Sequence, residues 1–279
     1  MFEVFQFEFM RYALASSLLI GLTCSYLGLF VVLRKIIFVG IALAQISALG
    51  VAVAIFTDQN PTLFALLFTI VGVLIFAPNY GGRRLSPEAI IGVGFAASWA
   101  IAILVLSKAA HGEANMLNLV RGNVLSAGKN DLAHLLAVFI PVTIMHVFFY
   151  KNFLFTSFDP EMASTLNISS QTWNFLFYLS LGLVVAISIK VAGVLLTFSF
   201  LLLPAVTALM MGNNMRTNII LTLVSAVIAA FIGLVISFQA DLPTGPTVVG
   251  VSFAIFILTM GTVNVLRFFN RRKIAVDGS

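Results

Sequence analysis

Long runs of apolar residues that contain no charged side chain dominate this sequence. The hydrocarbon core of a membrane is about 30 Å thick, and a helix of about 20 apolar residues crosses it with its backbone N–H and C=O groups paired internally. Nine charge-free windows are long enough to do so. They cover residues 12–33, 36–57, 59–82, 89–107, 132–150, 162–189, 191–215, 217–240 and 242–266.

The composition excludes a water-soluble fold. Hydrophobic residues make up 61% of the chain and charged residues only 9%, whereas a soluble domain has about 45–50% and about 25%. Too few polar side chains are present to cover a surface that faces water. We predict one all-α polytopic membrane domain over residues 1–279, with about nine transmembrane helices and a range of eight to ten.

The number of spans is least determined around Lys190. The chain is apolar from residue 175 to 211 apart from that lysine, which is too long for one span at about 20 residues each. Two spans leave a very short connection near Lys190, Ala192 and Gly193. A re-entrant or broken helix is the alternative.

The basic residues predict the orientation, because Lys and Arg in short loops stay on the cytoplasmic side. With nine spans and the C-terminus inside, ten of the fifteen basic residues fall on the inner side. These are Arg34, Lys35, Arg83, Arg84, Lys151, Arg216, Arg267, Arg271, Arg272 and Lys273. The outer side receives Arg11, Lys108, Arg121, Lys129 and Lys190. We therefore predict that the N-terminus is outside and the C-terminus inside.

The inner connection after Lys151 contains the signals of a short helix. Asp159 is a good N-cap, Pro160 suits the first helical position and Glu161 favours the positive end of the helix dipole. Asn167 can adopt the left-handed conformation that ends a helix. Such a helix on the inner face either docks into a motor subunit or lies at the membrane interface without a partner.

No group of residues indicates catalysis or a bound cofactor. The chain has no G-x-x-x-x-G-K-[ST] motif, so it does not hydrolyse nucleotides by that route. His111 and Glu113 either meet an entering cation or are simply solvated in the outer loop. His134 and His146 leave one helix about 120° apart, so they do not form a two-histidine metal site. His146 is either paired across the bundle or a candidate ion contact within the membrane.

Several stretches, in this order and spacing, resemble one known family. They are residues 27–35 and 38–40, 88–95, 158–163, 192–208 and 241–246. Together they resemble the membrane permease subunit of metal-ion ABC importers, of the zinc, manganese and iron chelate type. The resemblance covers most of the chain.

The resemblance implies a fold like that of vitamin B12 permeases, in a bacterial-type plasma (inner) membrane. It implies that two copies of this chain form the translocation path within membrane lipid. Cytoplasmic ATP-binding subunits would hold and hydrolyse the ATP, and an extracytoplasmic solute-binding protein would deliver the ion. No nucleic acid takes part. The segment that docks on the ATPase is implied to comprise Asp159, Pro160, Glu161, Met162 and Ala163.

One position departs from the family pattern. The second helix of the family usually carries an Asp and, four residues later, a His, in a pattern like Gly-Asp-x-x-Ser-His. Here Ile41 stands for the Asp and Gln45 for the His. Glutamine offers a carbonyl oxygen but no imidazole, which argues against a tight zinc site. Gln45 and Ser47 are candidates for lining a weak path, or Gln45 only bonds a neighbouring helix.

The expected function is an ATP-driven importer of divalent metal ions, zinc or manganese, in which this chain is a transport subunit and not an enzyme. One alternative is an ABC permease of the same fold for a non-metal substrate. A second is an ion-coupled secondary transporter, which commonly has ionisable groups near the membrane centre. A membrane-embedded metalloenzyme would need clustered His and carboxylate residues, which the nine windows do not supply.

Overall fold

The computed structural model describes residues 7–77, 86–109, 122, 124–158 and 160–277. Within these ranges the chain forms ten α-helices and one short 3-10 helix, Val124–Ser126, and no β-strand. The helices are α1 (Glu8–Leu33), α2 (Ile37–Phe56), α3 (Pro61–Phe76), α4 (Pro87–Leu106), α5 (Lys129–Phe148), α6 (Tyr150–Phe158), α7 (Pro160–Thr165), α8 (Ser170–Met211), α9 (Met215–Gln239) and α10 (Thr244–Asp277).

Each predicted membrane window overlaps one of these helices. Seven helices are long and apolar enough to cross a membrane, namely α1, α2, α4, α5, α8, α9 and α10. Helix α3 is also apolar but has only 16 residues. The windows 162–189 and 191–215 both fall on α8, which begins at Ser170, and the first of them also includes most of α7. The prediction of an all-α, multi-pass membrane protein is confirmed.

A break in α8 divides its long apolar stretch. Gly193 has φ 78° and ψ 169°, a conformation that glycine adopts without a Cβ clash. A straight helix would separate Phe177 from Leu201 by about 36 Å, because each residue adds about 1.5 Å. Instead, the ring of Phe177 lies 6.2 Å from that of Phe30, and the backbone of Leu201 lies against Gly28. Since Gly28 and Phe30 are neighbours in α1, the chain must reverse direction at Gly193.

The two arms of α8, which we call α8a (residues 170–192) and α8b (residues 194–211), connect two ends of the bundle. At the Arg34 end, the Arg34 side chain donates to Ser157 of α6 and to Asn174 of α8a. At the Lys190 end, Lys190 donates to Asp131 at the start of α5, at 3.0 Å. Helix α8a therefore runs from the Arg34 end to the Lys190 end, and α8b returns.

Eight of the described basic residues separate between these two ends in the predicted groups. At the Arg34 end lie Arg34, Lys35, Lys151 and Arg216, and at the Lys190 end lie Arg11, Lys108, Lys129 and Lys190. Arg216 lines the same cavity as Tyr150 and Lys151, which places the end of α8b beside α6. The side of the membrane that each end faces, and the number of crossings, stay predictions.

Helices α1, α2 and α8 form the core. Most residues in their apolar windows are buried, whereas α4, α5 and α10 are mostly exposed. Exposed apolar side chains on these outer helices include Val93, Leu104, Val147 and Leu258. In a membrane protein such surfaces contact lipid or another chain.

Small residues let the core helices approach closely. A Cβ built on Gly28 would lie 1.8 Å from the backbone oxygen of Leu201, so only glycine fits where α1 crosses α8b. A Cβ on Gly182 would lie 2.8 Å from Thr69 and 2.9 Å from Val73, which are side chains of α3. This dependence on small residues is typical of helix packing in membranes.

Replacing Gly28 with alanine should destabilise the protein, because the Leu201 carbonyl can move only if α8b shifts. We expect a loss of about 1–3 kcal/mol, as for other overpacked sites, measured as a lower midpoint of thermal unfolding in detergent. The matched control is Gly92→Ala in α4, where a Cβ has nothing within 4 Å. Equal midpoints for the two variants would contradict the close crossing of α1 and α8b.

Candidate functional site

The predicted short helix after Lys151 is present as α7. It begins at Pro160 and ends at Thr165, and Asn167 follows with φ 56°. The backbone N–H of Ile168 donates to the carbonyl of Ala163 at 2.9 Å, which closes the end of the helix. Pro160 at the first position and Asn167 at the stop are therefore confirmed. Asp159, the predicted N-cap, lies outside the described residues.

The chain from α6 to Leu166, which we call the α6–α7 segment, presents apolar side chains at the polar Arg34 end. Phe158, Met162 and Leu166 are 55%, 48% and 50% exposed, and the carboxylate residue Glu161 is exposed beside them. Ala163 is fully buried and anchors α7 on the bundle. Exposed apolar groups next to charged ones are typical of a surface that binds another protein.

Arg34 attaches α6 to the core. Its Nε donates to Ser157 Oγ at 2.7 Å, and its Nη1 donates to Asn174 Oδ1 at 2.8 Å. Its Cζ lies 4.2 Å from the centre of the Phe177 ring, in a cation–π arrangement. The sequence placed Arg34 among the inner basic residues but did not show these contacts. No local pattern could have done so, because the two acceptors are 123 and 140 residues away.

Gln45 and Ser47 lie in the middle of α2, the most buried of the membrane helices. Gln45 is 8% exposed, Ser47 is fully buried, and neither Gln45 Oε1 nor Ser47 Oγ has a hydrogen-bond partner within the described part of the chain. At about 100° per residue, the two side chains leave the helix about 200° apart. A path on one side of α2 would therefore meet only one of them.

Gln45 shares its face of α2 with Ile41, the residue at the family's Asp position. The two are four residues apart and so lie one above the other on the helix surface. The same face continues to Phe38, which is 68% exposed at the Arg34 end, while Ile41 is half-buried. This face therefore leads from the surface to the buried Gln45 carbonyl oxygen.

His146 is paired across the bundle, as one of the two interpretations expected. Its Nε2 lies 2.9 Å from Ser180 Oγ in α8a. The Ser180 hydroxyl also lies 2.9 Å from the Phe177 carbonyl, which accepts from it, so the hydroxyl has a lone pair available for a His146 Nε2–H. His146 is 1% exposed and stacks on Phe153 at 4.1 Å between ring centres. His134 is exposed, so the two histidines do not form a common site.

The described residues contain no group of three or more His, Cys, Asp or Glu side chains that could hold a metal ion. His111 and Glu113 lie outside the described ranges. The Lys190–Asp131 pair is about one quarter exposed at the Lys190 end.

Comparison with known proteins identifies the family. Residues 6–262 match the ABC 3 transport family. Since this match covers nearly all the helices described above, the chain belongs to the ABC 3 transport family.

Two relatives of similar length illustrate the range of this family. The manganese transport system membrane protein MntC of Listeria monocytogenes is 28% identical over 253 residues, which cover 91% of this chain and 90% of MntC. The high-affinity zinc uptake system membrane protein ZnuB of Haemophilus influenzae is 25% identical over 254 residues, with coverage of 91% and 97%.

A solved structure has the same fold. PsaBC from Streptococcus pneumoniae in complex with Fab contains a chain that superposes with a TM-score of 0.82, at 22% identity and 92% coverage of both chains. This agreement supports the arrangement of helices around α1, α2 and α8.

Replacing Ser180 with alanine should destabilise the bundle, because the buried Nε2 of His146 would lose its hydrogen-bond partner. We expect a cost of about 1–3 kcal/mol, the usual penalty for an unpaired buried polar group, measured by thermal unfolding in detergent. Ser107→Ala is the control, because Ser107 is exposed and also donates to a backbone carbonyl. A midpoint for Ser180→Ala equal to that of the control would contradict a stabilising His146–Ser180 bond.

Proposed function

We propose that this chain is the membrane permease subunit of an ABC importer for divalent metal ions, with manganese or zinc as the substrate. The observation that carries this proposal is the match of residues 6–262 to the ABC 3 transport family. The relatives named for manganese and zinc transport cover about nine tenths of the chain. The protein therefore acts as a transport subunit of the bacterial plasma membrane.

The α6–α7 segment supports coupling to an ATPase. Its exposed Phe158, Met162 and Leu166 surround a short helix at the Arg34 end, which the distribution of basic residues predicts to be cytoplasmic. Two cytoplasmic ATP-binding subunits would dock there and hydrolyse ATP on their own chains. The docking residues would be Asp159, Pro160, Glu161, Met162 and Ala163.

Two further partners complete the proposed importer. A second copy of the chain would form the translocation path, and the exposed apolar faces of α4, α5 and α10 provide surface for that copy and for lipid. An extracytoplasmic solute-binding protein would deliver the ion at the Lys190 end. The Lys190–Asp131 pair is one of the charged groups that this partner would meet.

Gln45 favours manganese over zinc. A carbonyl oxygen is a ligand type that suits Mn²⁺, whereas zinc binds imidazole and thiolate more readily. The Gln45 oxygen is buried in the middle of α2 and lacks a partner within the described residues. A single weak ligand also suits transport, because the ion must leave as readily as it enters.

The metal content of cells tests the proposed substrate directly. We expect a strain that lacks this gene to contain less manganese, or less zinc, than its complemented parent when both grow under chelator limitation. Elemental analysis of manganese, zinc and iron is the measurement. Complementation with Gln45→His should raise the ratio of zinc to manganese, because the variant adds an imidazole nitrogen, whereas Gln45→Leu should lower the uptake of both.

Three outcomes would contradict parts of this proposal. Equal metal contents in the deletion and complemented strains would point to a non-metal substrate on the same fold. Wild-type metal contents in both Gln45 variants would exclude Gln45 from the path. Uptake by the purified chain in vesicles without any ATPase would favour a secondary transporter.

Charge reversal of the docking segment tests the coupling. The double variant Asp159→Lys, Glu161→Lys should reduce uptake to the level of the empty vector, because it places positive charge where an ATPase would meet carboxylates. Uptake of the substrate metal is the readout, and the amount of permease in the membrane fraction should stay unchanged. The control is Lys151→Ala, an exposed position at the same end. Wild-type uptake by the double variant would remove the coupling role from this segment.

A further inference from the structure

A single side chain joins three helices at the Arg34 end. Arg34 follows α1 directly and donates to Ser157 Oγ (2.7 Å) and Thr156 Oγ1 (3.2 Å), both in α6. The same guanidinium donates to Asn174 Oδ1 (2.8 Å), in α8a. Helices α6 and α8a are therefore connected to each other through the one arginine that follows α1.

Packed aromatic rings reinforce this connection. The Phe153 carbonyl of α6 accepts from Arg34 Nη2 at 3.3 Å, and the ring of the same residue stacks on His146 of α5. The face of Phe177, in α8a, lies 4.2 Å from Arg34 Cζ. Phe153, Phe177 and His146 are buried, so α5, α6 and α8a cannot separate here without exposing these rings.

The geometry of arginine fixes the relative positions of α6 and α8a. A guanidinium is planar and presents five N–H donors in a fixed fork, so its acceptors must hold defined positions. Burial lowers the pKa of Arg34 to about 10. Because this pKa is still well above neutral pH, the side chain stays charged. The acceptors that it meets in the described part of the chain are neutral oxygens and one aromatic face. A shift of α6 would break these bonds unless α8a moved with it.

We propose that Arg34 is a positioning residue that transmits movement of the α6–α7 segment to α8. This inference rests on the proposed function, in which α7 docks on an ATPase. Ser157 lies in the last turn of α6, immediately before the chain enters α7. Asn174 lies near the start of α8a, which continues for about 29 Å to Gly193 at about 1.5 Å per residue.

Helix α8a carries the movement to the opposite end of the bundle. Near its far end, Lys190 pairs with Asp131 of α5, and the chain reverses at Gly193. A helix moves as a rigid element, so a shift at Asn174 reaches the Lys190 pair and the break. Arg34 thus connects the proposed ATPase surface to the end where the ion is proposed to enter.

The test compares transport with ATP hydrolysis in the assembled importer. The permease is reconstituted in vesicles with its ATP-binding subunit and its binding protein, and manganese uptake and phosphate release are both measured. Asn174→Ala removes the α8a acceptor and leaves the bonds to α6, while Arg34→Lys keeps the charge but loses the fork. Gln171→Ala is the matched control, because Gln171 is exposed one turn earlier in α8a.

We expect Asn174→Ala and Arg34→Lys to continue hydrolysing ATP while moving fewer ions per ATP, and Gln171→Ala to keep the wild-type ratio. The combined variant Arg34→Lys, Asn174→Ala should be no worse than Arg34→Lys alone, because both changes break the same link. A purely structural role would lower uptake and hydrolysis together. An unchanged ratio of uptake to hydrolysis in both single variants would overturn the proposal.

A second measurement separates this inference from the proposed function. If the wild-type complex hydrolyses ATP but moves no manganese, the substrate assignment fails, and hydrogen exchange decides the role of Arg34. Nucleotide binding to the ATP-binding subunit should change exchange in residues 170–180 of the wild type, but not of Asn174→Ala. The proposal is overturned if the two proteins show the same change or if the wild type shows none.

Discussion

The need to pair every backbone polar group inside lipid is the constraint on which the rest of this structure depends. This need permits only helices at membrane depth here. Lipid tails are as apolar as the side chains, so much of the hydrophobic drive that joins helices in water is also missing. The core must therefore be held by close packing and by scattered polar contacts. Gly28 against Leu201 is an example of the first, and His146 with Ser180 is an example of the second.

The reversal at Gly193 gives α8 its central position. Two arms that share one break both pack against α1, α8a at Phe30 and α8b at Gly28. The Arg34 contacts hold the start of α8a, and the Lys190–Asp131 pair holds its end. Because one rigid helix connects the two ends, a change at the proposed ATPase surface has a direct mechanical route to the opposite side.

The signals that act within a few residues were readable in advance. Pro160 and Asn167 set the ends of α7 through their own backbone preferences, and the glycine beside Lys190 marked the break in α8. A partner for His146 across the bundle was one of two expectations, because a polar group in an apolar helix needs a hydrogen-bond partner. The sequence could not show that this partner is Ser180. The positions of the candidate path residues came only from the structure. Gln45 and Ser47 leave α2 on different faces, and Gln45 shares its face with Ile41.

The sequence by itself determined that this chain is a bundle of apolar helices, where most of them begin and end, and to which family it is similar. These properties depend on hydropathy, length and turn residues, which are local. Only the tertiary structure decided that the two arms of α8 pack on α1 and that Arg34 connects α6 to α8a. The Arg34 contacts depend on partners 123 and 140 residues away along the chain, and no short-range pattern encodes which distant acceptor a buried donor will meet.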